Sequence, residues 1–189
     1  MKNFASRVRS AVLIIPTLLS VLMLSSCIYF NAEPAQHGGL EYAYYNLNVV
    51  LPPGDVSEEN KRTAAVVQEH LDSVPIALLD GELNFLFLSG TFYHAYQEIH
   101  IIGVIVNATD SVITNFSGDL ILTCVGSGLH LDSRDTINFH FTDEYAGELA
   151  PSDAMLAVFR GPITGPNEDV VIGTFDFSAE FQNVTYTTK

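Results

Sequence analysis

Between Asp55 and Val74 the apolar positions recur at helical spacing. Thr63, Val67, Leu71 and Val74 follow one another at intervals of four, four and three, which draws one apolar stripe along a helix. Asp55-Val56-Ser57-Glu58 offers a capping box, with Asp55 at the N-cap position and Glu58 three residues on. Glu58 and Glu59 then face the positive end of the helix dipole, and Pro75 closes the segment. The spacing predicts a helix over 57–72. Nearly everything else carries strand patterning. Tyr42–Leu51 is apolar-rich and stops at Pro52-Pro53-Gly54, while Ile76–Leu79 and Leu83–Leu88 flank Asp80-Gly81, a hairpin-grade turn signal. Thr91–Tyr96 and Glu98–Asn107 follow, and Gly103 inside the latter marks a bulge or a close backbone approach. Val112–Phe116 and Asp119–Val125 stand on either side of Ser117-Gly118. Thr136–Thr142 alternates most cleanly, with Ile137, Phe139 and Phe141 on one face and Asn138 and His140 on the other. Met155–Arg160 and Val170–Thr187 complete the set; in the last, Gly173, Phe175, Phe177, Ala179 and Phe181 share a side. Seven or more strands at this turn spacing predict a mainly β chain: an antiparallel β-sandwich over 41–189 with one short N-terminal helix.

The first residues follow a different logic. Lys2, Arg7 and Arg9 precede Ala11–Leu24, apolar apart from Pro16, Thr17 and Ser20. A spanning helix needs about 20 apolar residues, so this run reads as the core of a secretory signal. It ends at Leu24-Ser25-Ser26-Cys27, which resembles the bacterial lipobox: an aliphatic residue, two small residues, then the cysteine that receives a diacylglyceryl group. What this implies is a signal peptide over 1–26 and lipidation of Cys27, commonly completed by a palmitate-type N-acyl chain. Two or more acyl chains give stable anchoring without a membrane-spanning helix. The competing reading is an uncleaved N-terminal anchor with an incidental cysteine; both place the domain outside the cytoplasm. Ile28 rather than Asp follows Cys27, so nothing argues for inner-membrane retention, and either the cell membrane or an outer membrane fits. Residues 27–40, with Asn31, Pro34, Gln36, Gly38 and Gly39, read as the lipidated terminus and a flexible stalk.

Charge narrows the partners. Three of the eight basic residues precede Cys27 and none of the 22 acidic ones does, so the mature chain carries a formal charge of −17. Such a surface repels phosphate backbones and no basic stripe interrupts it, so nucleic acid is not an expected partner. With Cys27 acylated, Cys124 is the only other cysteine and cannot form an intramolecular disulfide. Leu120, Leu122 and Cys124 share one strand face, where a thiol acts as a small buried apolar group.

Two stretches carry a family resemblance. Val104-Ile105-Val106-Asn107-Ala108-Thr109-Asp110-Ser111-Val112-Ile113-Thr114-Asn115-Phe116 resembles the strand–Asn–polar turn–strand element of bacterial immunoglobulin-like accessory domains of the FxLyD and surface-layer-associated (SLAP) types. Gly147–Phe159, with Leu149, Pro151 and then Ala154-Met155-Leu156-Ala157-Val158-Phe159, is similar to their leucine–proline–strand element. Ser57-Glu58-Glu59-Asn60-Lys61 is similar to their helix start. The likeness spans 57–160, with Val125-Gly126-Ser127-Gly128 where the family has an Asp-x-x-Gly hairpin. It implies an immunoglobulin-like sandwich serving as a scaffold or interaction module at the cell envelope, with no catalytic residues to carry over.

Candidate chemistry is thin. His94 and His100 lie six apart with Glu98 between them, and His130 with Asp132 follows, but no pair has the spacing of a helix-borne zinc motif. Asp132-Ser133-Arg134-Asp135 and Asp143-Glu144 border one strand from ends about 20 Å apart. They read as solvated carboxylates, with Ca²⁺ binding through oxygens of another loop as the alternative. Ser127 lacks the G-x-S-x-G setting of a nucleophile elbow. Asn107, Asn115 and Asn183 begin three glycosylation-type tripeptides, read as chance matches beside a lipobox. The expectation is a membrane-anchored, non-enzymatic module that binds or assembles with an envelope or secreted protein, without metal or cofactor. The alternative is a small-ligand or glycan binder, or a hydrolase, with a pocket lined by His94, Tyr96, His100, His130 and Asp132.

Overall fold

The computed structural model describes residues 41–124, 135–172 and 177–189, with only the backbone described for Cys124, Asp135 and Phe177. Cys27 with its leader and stalk, Ser127, His130, Asp132, Gly173 and Phe175 lie outside the described residues, as does the burial of the Cys124 thiol.

Helix α1 spans Glu58–Ser73. Its N-cap is Ser57 rather than Asp55: Ser57 Oγ accepts the Asn60 amide at 3.1 Å. Asp55 acts one layer further out, its carbonyl accepting from Asn60 Nδ2 at 3.0 Å. The expected stripe points inward, with Thr63, Val67 and Leu71 buried.

The strands are β1 (Tyr42–Tyr44), β2 (Asn48–Val50), β3 (Ala77–Leu79), β4 (Leu83–Tyr93), β5 (Glu98–Asn107), β6 (Ile113–Cys124), β7 (Asp135–Phe141), β8 (Asp153–Pro162), β9 (Val170–Ile172) and β10 (Phe177–Thr188). They form a five-stranded sheet β2-β8-β5-β4-β9, a three-stranded sheet β10-β6-β7 and a ribbon β1-β3. All described pairings are antiparallel except β2 with β8, which run parallel and make the larger sheet mixed. A four-residue helix α2 (Asp143–Ala146) and a 3-10 turn at His94–Tyr96 interrupt the connections.

The fold is mainly β, and its two larger sheets form a sandwich. Phe85 and Phe159 from one sheet meet Phe139 and Phe181 from the other, with ring centroids 4.8–5.4 Å apart in the Phe139–Phe181, Phe85–Phe181, Phe85–Phe159 and Phe139–Phe159 pairs. Around them close Phe92, Ile99, Ile101, Ile105, Phe116 and Leu120, all fully buried. The opposite face of the five-stranded sheet is covered in part by α1. Val67 and Leu71 pack there with Val104, Val106 and Ala154. β5 is therefore buried on both faces, which explains why Ile99–Val106 reads as an almost unbroken apolar run. Gln68 fastens the helix to the chain before and within β2: its Oε1 accepts from Val49 N at 2.7 Å and its Nε2 donates to the Leu47 carbonyl at 2.8 Å. A side-chain amide thus takes the place of a neighbouring strand and protects an edge.

Several expected boundaries shift. Tyr42–Leu51 is two short strands with different partners, not one piece. Leu83–Leu88 and the start of Thr91–Tyr96 fuse into β4, and Ser117-Gly118 lies inside β6 rather than forming a turn. Gly118 sits there because a Cβ would stand 3.1 Å from the Gln182 carbonyl and from Phe139 Cζ. Val170–Thr187 divides into β9 and β10, which belong to different sheets.

Candidate functional site

Two turns at one end of the sandwich are locked to each other and to the end of β10. Gly81 takes φ +77°, the left-handed region that the β3–β4 turn requires. Its N–H donates to the Ala108 carbonyl at 2.9 Å, and Ala108 N donates to the Glu82 carbonyl at 3.0 Å. Asn84 closes the same turn with both ends of its amide, accepting from Leu79 N and donating to the Leu79 carbonyl, each at 2.9 Å. The β5–β6 turn is built on Asn107, fully buried. Its Nδ2 donates to the carbonyls of Ser111 and Leu149 at 2.8 Å, and its Oδ1 accepts from Thr109 N and Oγ1 at 3.0 and 2.7 Å. Lys189 N donates to the Val112 carbonyl at 3.0 Å, tying the end of the chain to that turn.

Two adjoining grooves open along this flank. The first, about 340 Å³, is lined by Asp80, Thr109, Asp110, Ser111, Tyr186 and Thr188, with Gly81 and Ala108. The second, about 380 Å³, runs on between Glu82 and Leu83 on one side and Phe181, Gln182, Asn183 and Val184 on the other. Gly81 and Tyr186 belong to both. Two strand margins border the opening. β9 pairs with β4 only at Gly90–Phe92, so among the described strands none is paired with Leu83–Leu86 on that side, although β10 packs nearby. Among the described strands β10 pairs with β6 alone. Asn183, at φ 53° beside a register break, turns the β10 backbone there and donates to Asp119 Oδ2 at 2.7 Å.

The electrostatics are one-sided. Among the described residues Asp80, Glu82 and Asp110 line the grooves and no Lys, Arg or His does. Asp80 also accepts the hydroxyl proton of Tyr45, which lies 3.0 Å from the Ala108 carbonyl. That hydrogen bond to Asp80, aided by burial and by the carboxylate's charge, pushes the Tyr45 phenol up to about 12 from 10.0. Because the folded value exceeds the unfolded one, the neutral phenol favours folding below about pH 10, and this contribution is lost as pH rises through about 12. Burial also raises the Tyr145 phenol, so absorbance titration should find a late tyrosine step near 12 that disappears in Tyr45→Phe and moves back toward the ordinary range in Asp80→Asn. A Tyr45→Phe titration that keeps the step near 12 would assign it elsewhere.

His94, His100 and Tyr96, singled out from sequence, fall elsewhere, and His130 and Asp132 lie outside the described residues. His94 sits in the 3-10 turn, its Nδ1 3.0 Å from the Pro166 carbonyl and 3.1 Å from Gln97 Nε2. His100 lies on the sheet, 3.1 Å from Glu98 and with its ring 4.7 Å from that of Tyr93. Tyr96 is 77 % exposed. These three occupy the Glu98 end of β5, about 30 Å along the strand from the grooves at the Asn107 end. They line neither groove, and the two histidines make separate local contacts. Among the described residues no three His, Cys, Asp or Glu side chains converge as a metal site would require. His140 is exposed, and Asp143 opens α2 behind the Thr142 cap. The asparagines of the three glycosylation-type tripeptides serve the backbone: Asn107 as described, Asn183 at its register break and Asn115, at φ 47°, accepting from Asp143 N at 2.9 Å. Tyr186, Glu82 and Asp110 escaped the sequence reading because only strand pairing brings positions 80, 110 and 186 together. The Asp80-Gly81 turn was the one visible signal.

Comparison with family models, with curated proteins and with solved structures finds no match to this chain.

Proposed function

We propose that this chain is an envelope lipoprotein, anchored outside the cytoplasm through diacylglyceryl-Cys27, whose immunoglobulin-like domain is a non-enzymatic module that docks another envelope or secreted protein. The single observation that carries the docking role is the flank where two grooves lie between strand margins, at Leu83–Leu86 and along β10. Strand margins offer backbone donors and acceptors to an extended segment of a partner, and neighbouring pockets select its side chains. The turns that build the grooves are tied by hydrogen bonds, so the site is preorganised. The anchor rests on Leu24-Ser25-Ser26-Cys27. No helix among the described residues is long and apolar enough to cross a membrane. A second reading, a glycan site, is favoured by Tyr186: one half-exposed ring shared by both grooves, among the polar groups of Asp80, Asp110 and Asn183.

Two experiments separate these statements. In cells fed an alkyne-tagged palmitate, the wild-type chain should take up label and sediment with membranes, whereas Cys27→Ala should lose the label and leave the membrane fraction. A Cys27→Ala protein that stays labelled would sink the anchor. For docking, a photo-crosslinking residue at position 82 should trap one protein in the native envelope, while the same residue at position 69, on the outer face of α1, should not. Silence at position 82, or equal trapping at both positions, would remove the docking role.

A further inference from the structure

We infer that the margin of β8 beyond Met155 takes an extended segment of a partner protein, parallel to β8, in which an aliphatic residue is followed two positions on by Asp or Glu. This margin is at the opposite edge of the five-stranded sheet from β9, so it adds a contact to the docking flank and does not depend on it. β2 pairs with β8 only at Asp153–Met155. Asn48 N donates to the Ser152 carbonyl at 3.0 Å, so Asn48, Val50 and then Pro52 are the residues in frame to turn an N–H to β8. Pro52 has none, and β2 ends before it. Among the described strands none pairs with Leu156–Pro162 on that side, although β7 packs nearby from the other sheet.

The frame of β2 carries along the open margin. On β8 the even-numbered residues face β2, so the N–H and C=O groups of Val158 and Arg160 face the margin, and Pro162, without an N–H, bounds it. The side chains of Val158 and Arg160 stand on the α1 face with that of Ala154, Val158 49 % exposed beside Ile102 and Arg160 exposed beside His100. A segment continuing the frame of β2 sets one residue beside Val158 and, two positions on, another beside Arg160, both on that face. The residue between them donates its N–H to the Val158 carbonyl and accepts from Arg160 N–H at its own carbonyl. Burial against Val158 selects an aliphatic group at the first position. Charge selects the second. His100 already has Glu98 at 3.1 Å, and Lys61 and Lys189 are paired, whereas Arg160 has no ion pair among the described residues. A charge on a strand margin keeps most strands off and admits one that carries its opposite. The mature charge of −17 opposes a heavily acidic segment at long range, so a single carboxylate is what the margin takes.

The test uses the full chain in non-ionic detergent and fluorescein-labelled heptapeptides read by anisotropy. Ser-Thr-Val-Thr-Glu-Thr-Ser should bind, and its reversed-order twin Ser-Thr-Glu-Thr-Val-Thr-Ser, equal in charge and composition, should bind about fivefold more weakly. N-methylation of the Thr between Val and Glu should weaken binding about tenfold, whereas N-methylation of the Glu, whose N–H points away from β8, should change it less than about twofold. Arg160→Gln should cost the Val-Thr-Glu peptide about threefold to fivefold and leave its Val-Thr-Gln counterpart unchanged. Arg62→Gln, at an exposed base on α1, should change neither by more than about twofold. Equal binding of the two orders, or equal effects of the two N-methyl groups, would overturn the inference. So would equal losses with Arg160→Gln and Arg62→Gln, which reduce the effect to net charge. A dimer in sedimentation equilibrium that the peptide dissociates would put a second copy on the margin and overturn it too. Should position 82 crosslink a protein while the peptides fail these comparisons, the docking flank stands and the second margin falls.

Discussion

Asn107→Leu is expected to destabilise the domain by about 3–4 kcal/mol, read as a lowered urea midpoint at unchanged slope. The side chain is 0 % exposed, and its two donors and two acceptor positions are all used. Leucine matches its branching but is bulkier, and it matches none of its bonds. The Leu149 carbonyl keeps the antiparallel bridge from Ile113 N at 3.0 Å, whereas Thr109 N and the Ser111 carbonyl lose a principal partner. An unsatisfied buried group costs about 1–3 kcal/mol, and partial exposure of Thr109 and Ser111 lets water recover some of it. The effect reaches the grooves, because Thr109, Asp110 and Ser111 form a wall that this amide holds in place. Asn107→Asp keeps the acceptor but turns a carboxylate toward two carbonyls, so it should be at least as damaging. A loss under about 1 kcal/mol for Asn107→Leu would mean that the turn holds its shape without the amide.

That asparagine marks the boundary of what sequence patterning reveals. Local periodicity located α1 and the strands of the core. Ile137, Phe139 and Phe141 do face the interior, Val67 and Leu71 do line the helix, and the mainly β sandwich follows from them. Patterning failed where long-range pairing overrode a local signal. Ser117-Gly118 has turn chemistry, yet β7 and β10 flank it on both sides and hold it extended. Asp55 and Ser57 are both good caps, and the choice fell to Ser57 because Asn60 donates its side chain to Asp55 and its backbone N–H to Ser57. The parallel β2–β8 pair was not legible at all, since three residues pairing across about a hundred positions leave no periodic trace. The same limit hid the flank. Asp80, Asp110 and Tyr186 are unremarkable in their own segments and become a site only when two turns and the end of β10 are brought together. His94 and His100, conspicuous by residue type, are absorbed by contacts to Pro166, Gln97 and Glu98.

Gly103→Val should unfold the domain at moderate temperature or cost upward of about 3 kcal/mol, at the limit of what overpacking does in a closed core. A Cβ built at Gly103 would lie 2.5 Å from the Leu86 carbonyl oxygen and from Phe85 Cε2. The carbonyl belongs to the paired strand β4 and cannot withdraw without breaking the ladder. The expected alternatives for Gly103, a bulge or a close approach, are both realised: the β4–β5 register slips between Phe87 and Ser89, directly across from it. Gly54→Ala is the fitting control, since nothing lies within 4 Å of its Cβ position, and it should stay within about 0.5 kcal/mol of wild type. Gly103→Ala separates the two obstacles. Combined with Phe85→Leu it should cost less than the two changes summed, because the shorter side chain vacates the ring position while the Leu86 carbonyl stays. Strict additivity would show that the ring yields freely and the backbone alone forbids a side chain. The consequence reaches the flank through Phe85, whose ring lies 5.2 Å from that of Phe181, the floor of the second groove.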